Sequence, residues 1–194
     1  MAYWITLNRM DPTVTILSGL PPYGPMPTAF PPEWGYLGRE GTVVEFTTET
    51  GTWVANFRPG LGGLQFARSL RNTLNAIVVS AGDLWIIDLP ARTASLTLPA
   101  VEAMWEVQNP DGWVMSRQDL AFVRLGPQGL MWHTRRLSWD GFDQIEINQY
   151  ELRGLAWSPL DDKWCPFSVE LETGKSAGGS FSQSDTEGWE MLAG

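Results

Sequence analysis

The chain has 194 residues, 43% of them apolar and 18% charged, and carries a formal net charge of -9 from 22 acidic and 13 basic side chains. That length suits one domain with a sizeable core, burying roughly 70% of the surface of its unfolded chain. The acidic balance repels a phosphate backbone, and Arg135-Arg136 is the only basic pair, so nucleic acid is excluded as a partner. A single cysteine, Cys165, excludes an internal disulfide. The start MAYWITLNRMDP lacks the basic head and apolar run of a signal peptide, and no apolar run reaches 18 residues. A cytoplasmic protein with no membrane partner is expected.

In chain order, alternation of apolar and polar residues with period two predicts strands at 3–7 and 13–17. A segment dense in proline follows at 18–35, with Pro21, Pro22, Pro25, Pro27, Pro31 and Pro32. Proline fixes φ and removes a donor, so an extended strap is expected here, pinned to the domain by Tyr23, Phe30 and Trp34; a ligand for a proline-recognising partner is the sharper alternative. Strands are then predicted at 42–48 and 52–57. In GLGGLQFARSLRNTLNA the recurrence of Leu64, Ala67, Leu70 and Leu74 predicts one short helix over 63–73. From there to 172 the alternation resumes, with strands at 76–80, 84–89, 94–98, 103–108, 113–116, 121–125, 130–135, 144–149, 152–158 and 166–172, broken by turn residues every eight to twelve positions. The Ser/Gly-rich stretch 176–194 reads as a mobile tail, with Trp189 and Met191 able to dock. The whole is an all-β chain, expected as a single domain over 1–194.

Four segments align as strand ends entering turns: VVEFTTETGTW, LWIIDLPARTASL, AFVRLGPQGLMW and FSVELETGK. Their aligned residues Phe46, Leu89, Leu125 and Leu171 stand 43, 36 and 46 residues apart, and Leu7 lies another 39 upstream of Phe46. The stretches VEFTTETGTW at 44–53 and VELETGK at 169–175 resemble β-propeller repeat proteins, most nearly the quinoprotein-type blade. There an apolar strand enters an acidic residue, a Thr-Gly turn and a Trp. The copy at 84–98 keeps Asp88 without Thr-Gly, and the copy at 120–132 has Arg124 in the acidic place and Gly-Pro-Gln-Gly in the turn. The resemblance implies a propeller-like array of short antiparallel hairpins serving as an interaction platform. The residues alone leave a β-sandwich or open barrel as the alternative.

Eleven tryptophans are the chain's most unusual feature. Trp53, Trp85, Trp105, Trp132 and Trp157 fall inside strand patterns and read as core, whereas Trp34, Trp139 and Trp164 fall in turn-rich segments and read as exposed. RRLSWDGFDQ at 135–144 and WSPLDDKWC at 157–165 bring tryptophan and carboxylates together in predicted loops. Arg135, Arg136, Trp139, Asp140, Asp143, Asp161, Asp162 and Trp164 are therefore the candidate ligand- or partner-binding residues: aromatic and arginine side chains anchor protein interfaces, and an acidic aromatic rim suits sugars or cations. Turns fixed by Asp side chains, with Asp140-Gly141 marking a hairpin, explain the same residues structurally.

With His133 the only histidine and Cys165 the only thiol, no zinc cluster or nucleophile-base pair is drawn, and neither an EF-hand nor a phosphate-binding glycine motif is present. The expectation is a non-catalytic protein-protein interaction module without cofactor or metal. A carbohydrate-binding module is the first alternative, and a carboxylate-dependent glycoside hydrolase, needing two acids across a cleft, is the second.

Overall fold

The computed structural model describes residues 12–71, 73–108 and 111–181, and side chains throughout these except at Tyr36, Leu37 and Asp111. The predicted strand at 3–7, and Trp189 and Met191, lie outside the described residues. Among the described residues, sixteen strands and one 3-10 helix make the chain all-β, as the alternation predicts. They form four four-stranded sheets gathered into two compact units that meet in sequence at Pro99 and Ala100.

The first unit contains β1 (Thr13–Ile16), β2 (Thr28–Phe30), β3 (Thr42–Thr48), β4 (Gly51–Phe57), β5 (Phe66–Ser69), β6 (Asn75–Ser80), β7 (Asp83–Asp88) and β8 (Thr93–Leu98). One sheet has the order β1-β3-β4-β2 and the other runs β5-β6-β7-β8. Period two places Val44 and Phe46 of β3 beside Ala55 and Trp53 of β4 on the inward face, with Phe46 stacked on Trp53 at 4.5 Å. Thr47 and Thr52 face each other with hydroxyls 3.1 Å apart on the other face. The inward residues pack against Ala76, Val78, Trp85 and Ile87 of the second sheet, and Phe57 meets Trp85 at 5.9 Å.

Three expectations fail in this unit for physical reasons. The predicted helix over 63–73 is absent: β5 occupies 66–69 and pairs Phe66 with Val79 and Ala67 with Val78. Strand β6 is buried along nearly its whole length and leaves backbone groups on its outer side, so ladder pairing outweighs a short helical spacing. In the proline strap, Phe30 and Trp34 are buried as pins, but Tyr23 is 91% exposed. Tyr23 sits at a bend between Pro22 and Gly24 (φ +109), which turns it away from the sheet. The strap also contributes β2, which pairs parallel to β4, and the 3-10 helix Pro32–Leu37. Trp34, expected in solvent, lies in that helix and is 8% exposed.

The second unit contains β9 (Val101–Gln108), β10 (Asp111–Arg117), β11 (Ala121–Gly126), β12 (Gly129–His133), β13 (Phe142–Ile147), β14 (Glu151–Ser158), β15 (Lys163–Glu170) and β16 (Ser176–Gly178). Two consecutive meanders result, β9 to β12 and β13 to β16. Their core centres on Phe122, fully buried, with Phe142 at 4.5 Å and Phe167 at 5.5 Å, and it extends through Val114, Leu137, Leu152, Val169 and Leu171. Burying one such side chain contributes about 1.5–3 kcal/mol. Part of the predicted tail is ordered: β16 pairs with β15, and Phe181 is 5% exposed.

The four aligned residues Phe46, Leu89, Leu125 and Leu171 are all buried. Leu89 and Leu171 each follow the third strand of a meander and donate an N–H to the residue preceding its second strand, Leu74 at 3.0 Å and Tyr150 at 2.8 Å. The two Thr-Gly turns differ. Thr48 pairs with Gly51 across two residues, whereas the Glu170 N–H reaches the Lys175 carbonyl across four.

Candidate functional site

The segments 135–144 and 157–165 do meet, at one end of the second unit. The Trp139 N–H donates to the Trp157 carbonyl at 3.3 Å, and the Trp157 N–H to that of Gly141 at 3.2 Å. Gly141 also donates to the Asp119 carbonyl at 3.1 Å, so the β10–β11 turn lies beside them. Within this end the arginines and Trp139 form one group and the Trp164 hairpin another, with Asp140 and Asp143 outside both.

The first group is a clasp on the segment that follows β16. Arg135 donates through Nη1 to the carbonyls of Arg136 (3.0 Å) and Phe181 (3.3 Å), and through Nη2 to that of Gly178 (2.6 Å). Arg136 donates to the carbonyls of Ser138 and Trp139, both at 2.8 Å, and its guanidinium lies 5.2 Å from the Trp139 ring and 4.3 Å from Phe181. Trp139 itself stacks on Phe181 at 4.3 Å and is half-buried. Its indole Nε1 is buried without an acceptor, and its backbone N–H reaches Ser180 Oγ at 3.1 Å. Burial lowers the pKa of both arginines from the usual value, with nearby Asp140 opposing this at Arg136. Trp139, expected in solvent, is thus a packing residue, because Phe181 supplies a ring that its loop alone does not reveal.

Asp140, Asp143, Asp161 and Asp162 are exposed. Asp143 Oδ1 accepts the N–H of Gln144 at 2.8 Å, and Asp161 Oδ2 accepts Ser158 Oγ at 3.3 Å and pairs with Lys163 at 3.3 Å. The Asp161 contacts are those of an Asp-stabilised turn, whereas Asp143, expected in a loop, lies in β13 at the register shift where Gln144 has φ +50. Among the described residues no group of three or more His, Cys, Asp or Glu side chains is placed to hold a metal ion. His133 is exposed at the end of β12, and Cys165 is half-buried.

The second group faces solvent on the β14–β15 hairpin. Trp164 is 42% exposed and sits opposite Trp157, ring centroids 5.1 Å apart at 56°. Leu160, in the connecting turn, is 76% exposed. Eight consecutive cross-strand pairs from Glu151–Glu170 to Ser158–Lys163 hold this hairpin in register. An exposed tryptophan and leucine therefore stand on a stiff support, bordered by Asp161, Asp162 and Lys163.

The same turn exposes a recurrence that the apolar alignment passes over. Ser80 to Asp83, Ser116 to Asp119 and Ser158 to Asp161 each join the second and third strands of a meander, and all three serines are buried. Ser116 Oγ lies 2.9 Å from Asp119 Oδ1, matching the Ser158–Asp161 contact, while Ser80 Oγ turns to Thr42 Oγ1 at 2.8 Å. The signal, a Ser-x-x-Asp at each of these three turns, is present in the sequence but polar, and so invisible to a search for apolar strand ends. Comparison with known proteins returns no matching family model and no matching curated protein.

Proposed function

We propose that the protein is a non-catalytic interaction module that engages a protein partner through the Trp164 and Leu160 face of the β14–β15 hairpin. The observation that carries this reading is the exposure of two large apolar side chains on one hairpin, a support too well paired to fold them away. An apolar centre bordered by charge, here Asp161, Asp162 and Lys163, matches the anatomy of interface hot spots. The recurring Ser-x-x-Asp turns and the equivalent Leu89 and Leu171 bonds support reading the meanders as repeats of a propeller-like array, a scaffold suited to presenting such turns.

The test is affinity capture from the source cells with quantitative mass spectrometry, using the wild type, Trp164→Ala, Leu160→Ser and a first-unit control, Leu61→Ser. A stoichiometric partner should be weakened by about 2 kcal/mol, roughly thirtyfold in Kd, by either hairpin change and by neither fold loss nor the control. A partner that survives both hairpin changes would overturn the proposal.

A further inference from the structure

The face of the β14–β15 hairpin turned away from the core is apolar at its turn end. Cross-strand register pairs Leu152 with Val169 and Gly154 with Phe167, and Leu152, Val169 and Phe167 belong to the core. Period two therefore puts the pairs Leu155–Pro166 and Trp157–Trp164 together on the opposite face. Leu155 and Trp157 are half-buried there, while Pro166 and Trp164 are exposed. Leu160, in the connecting turn, is exposed as well. The next pair along the same face is polar, Arg153 with Ser168, and Arg153 is taken up by Glu151. The apolar part thus runs only about 7 Å along the strands before the turn, a length that suits a peptide segment.

The border of this face is acidic. Asp161 and Asp162 lie in its turn, Asp143 of β13 stands opposite Leu155 in the register, and Asp140 precedes Gly141, whose carbonyl accepts the Trp157 N–H; all four aspartates are exposed. Against them stand Lys163, already paired with Asp161 at 3.3 Å, and Arg136, which serves the clasp at Trp139 and Phe181 with Asp140 near it. A net negative border remains, and it selects among occupants. A second copy seated face to face brings the same aspartates against themselves, because a two-fold interface sets one patch on its own likeness. Residues 182–194 carry Asp185, Glu187 and Glu190 and no basic residue, so the chain's own C-terminal stretch meets the same repulsion. A basic segment meets none. Its arginine or lysine is attracted both by an aromatic ring face and by the flanking carboxylates. The chain uses the first of these contacts within its own fold, where Arg92 lies over Trp53 and Arg136 over Trp139.

We propose that the occupant of the Trp164 face is a basic amphipathic segment of another protein, with apolar side chains on the Trp157–Trp164 and Leu155–Pro166 pairs and an arginine or lysine over Trp164 beside Asp161 and Asp162. This rests on the reading of the hairpin as an interface and adds to it the sign of the partner's charge. The experiment is selection of a displayed random short-peptide library on the immobilised full chain, counter-screened on Trp164→Ala, followed by titration of the enriched peptides as synthetic probes. Peptides that depend on Trp164 should carry net positive charge, with an arginine or lysine near an apolar residue. Their Kd should rise at least about tenfold in Asp161→Asn/Asp162→Asn at about 0.15 M salt, and this loss should shrink at about 1 M salt. Asparagine keeps an acceptor for Ser158 and tolerates the φ of +48 at Asp162, so the variant tests charge with the turn intact. The control Glu170→Gln/Glu172→Gln removes two carboxylates at the far end of the hairpin and should leave Kd within about twofold. Trp164-dependent peptides that are neutral or acidic, or that bind Asp161→Asn/Asp162→Asn as tightly as the wild type, would overturn this inference and leave the hairpin interface standing. A library that yields no Trp164-dependent peptide overturns it as well, while the affinity capture decides the hairpin interface separately.

Discussion

Replacing Gly174 by alanine tests how the second unit closes the turn between β15 and β16. Gly174 has φ +74, and a Cβ built there would lie 2.8 Å from Cδ2, 2.9 Å from Cγ and 3.0 Å from Cε3 of Trp132. The ring cannot simply step aside, because Trp132 Nε1 donates to the Leu171 carbonyl at 2.9 Å. A left-handed backbone costs an alanine about 1–2 kcal/mol, and crowding a held ring adds about 1–3 kcal/mol, together about 2–5 kcal/mol. For a chain of this size that lowers Tm by roughly 5–15 °C. Trp132→Leu removes the wall, so in that background the same glycine change should cost only about 1–2 kcal/mol. Gly51, at φ +120 with nothing within 4 Å of its added Cβ, is the control: Gly51→Ala should cost about 1–3 kcal/mol whether or not Trp132 is present. Urea unfolding followed by circular dichroism across this double-mutant cycle gives the coupling. An equal cost for Gly174→Ala in both backgrounds would refute the reasoning.

Other measurements probe the core, the clasp and a surface pair. Phe122→Ala should lose about 3–5 kcal/mol because it opens the centre of the aromatic core, whereas Phe122→Leu should cost less than about half of that; similar urea midpoints for the two would count against the described packing. Arg135→Lys removes a planar fork from three carbonyls and should cost about 1–3 kcal/mol while speeding hydrogen exchange at Ser180, whose N–H bonds Leu137; unchanged exchange would show that the clasp does not hold that segment. The hydrogen bond from Arg153 holds the Glu151 carboxyl below its usual pKa, with burial opposing it and a bond from Ser168 assisting. A depressed folded-state pKa means its contribution is present above the unfolded-state pKa and fades as pH falls through the folded one. Arg153→Gln should therefore raise the Glu151 midpoint in an NMR titration, and an unmoved midpoint would refute that assignment.

Period-two alternation by itself determined the class of fold and most of the strands, and β3 begins and ends at the predicted residues. Alternation is local: each strand records which of its own faces is apolar, whatever it later packs against. The strands it did not predict, β2, β5 and β16, are three or four residues long, too short to display a period. Around β5 the spacing of Leu64, Ala67 and Leu70 even favours a helix, and only ladder pairing with β6, the next strand along the chain, decides otherwise. The sequence also singled out two segments that meet at one end of the second unit. It could not divide them: Trp139 and Trp164 occupy similar Trp-Asp surroundings, yet Phe181 covers the first, whereas the second, beside Trp157, stays 42% exposed. Face polarity is written residue by residue, whereas exposure and neighbourhood are properties of pairs far apart in the chain, and these the tertiary structure alone decides.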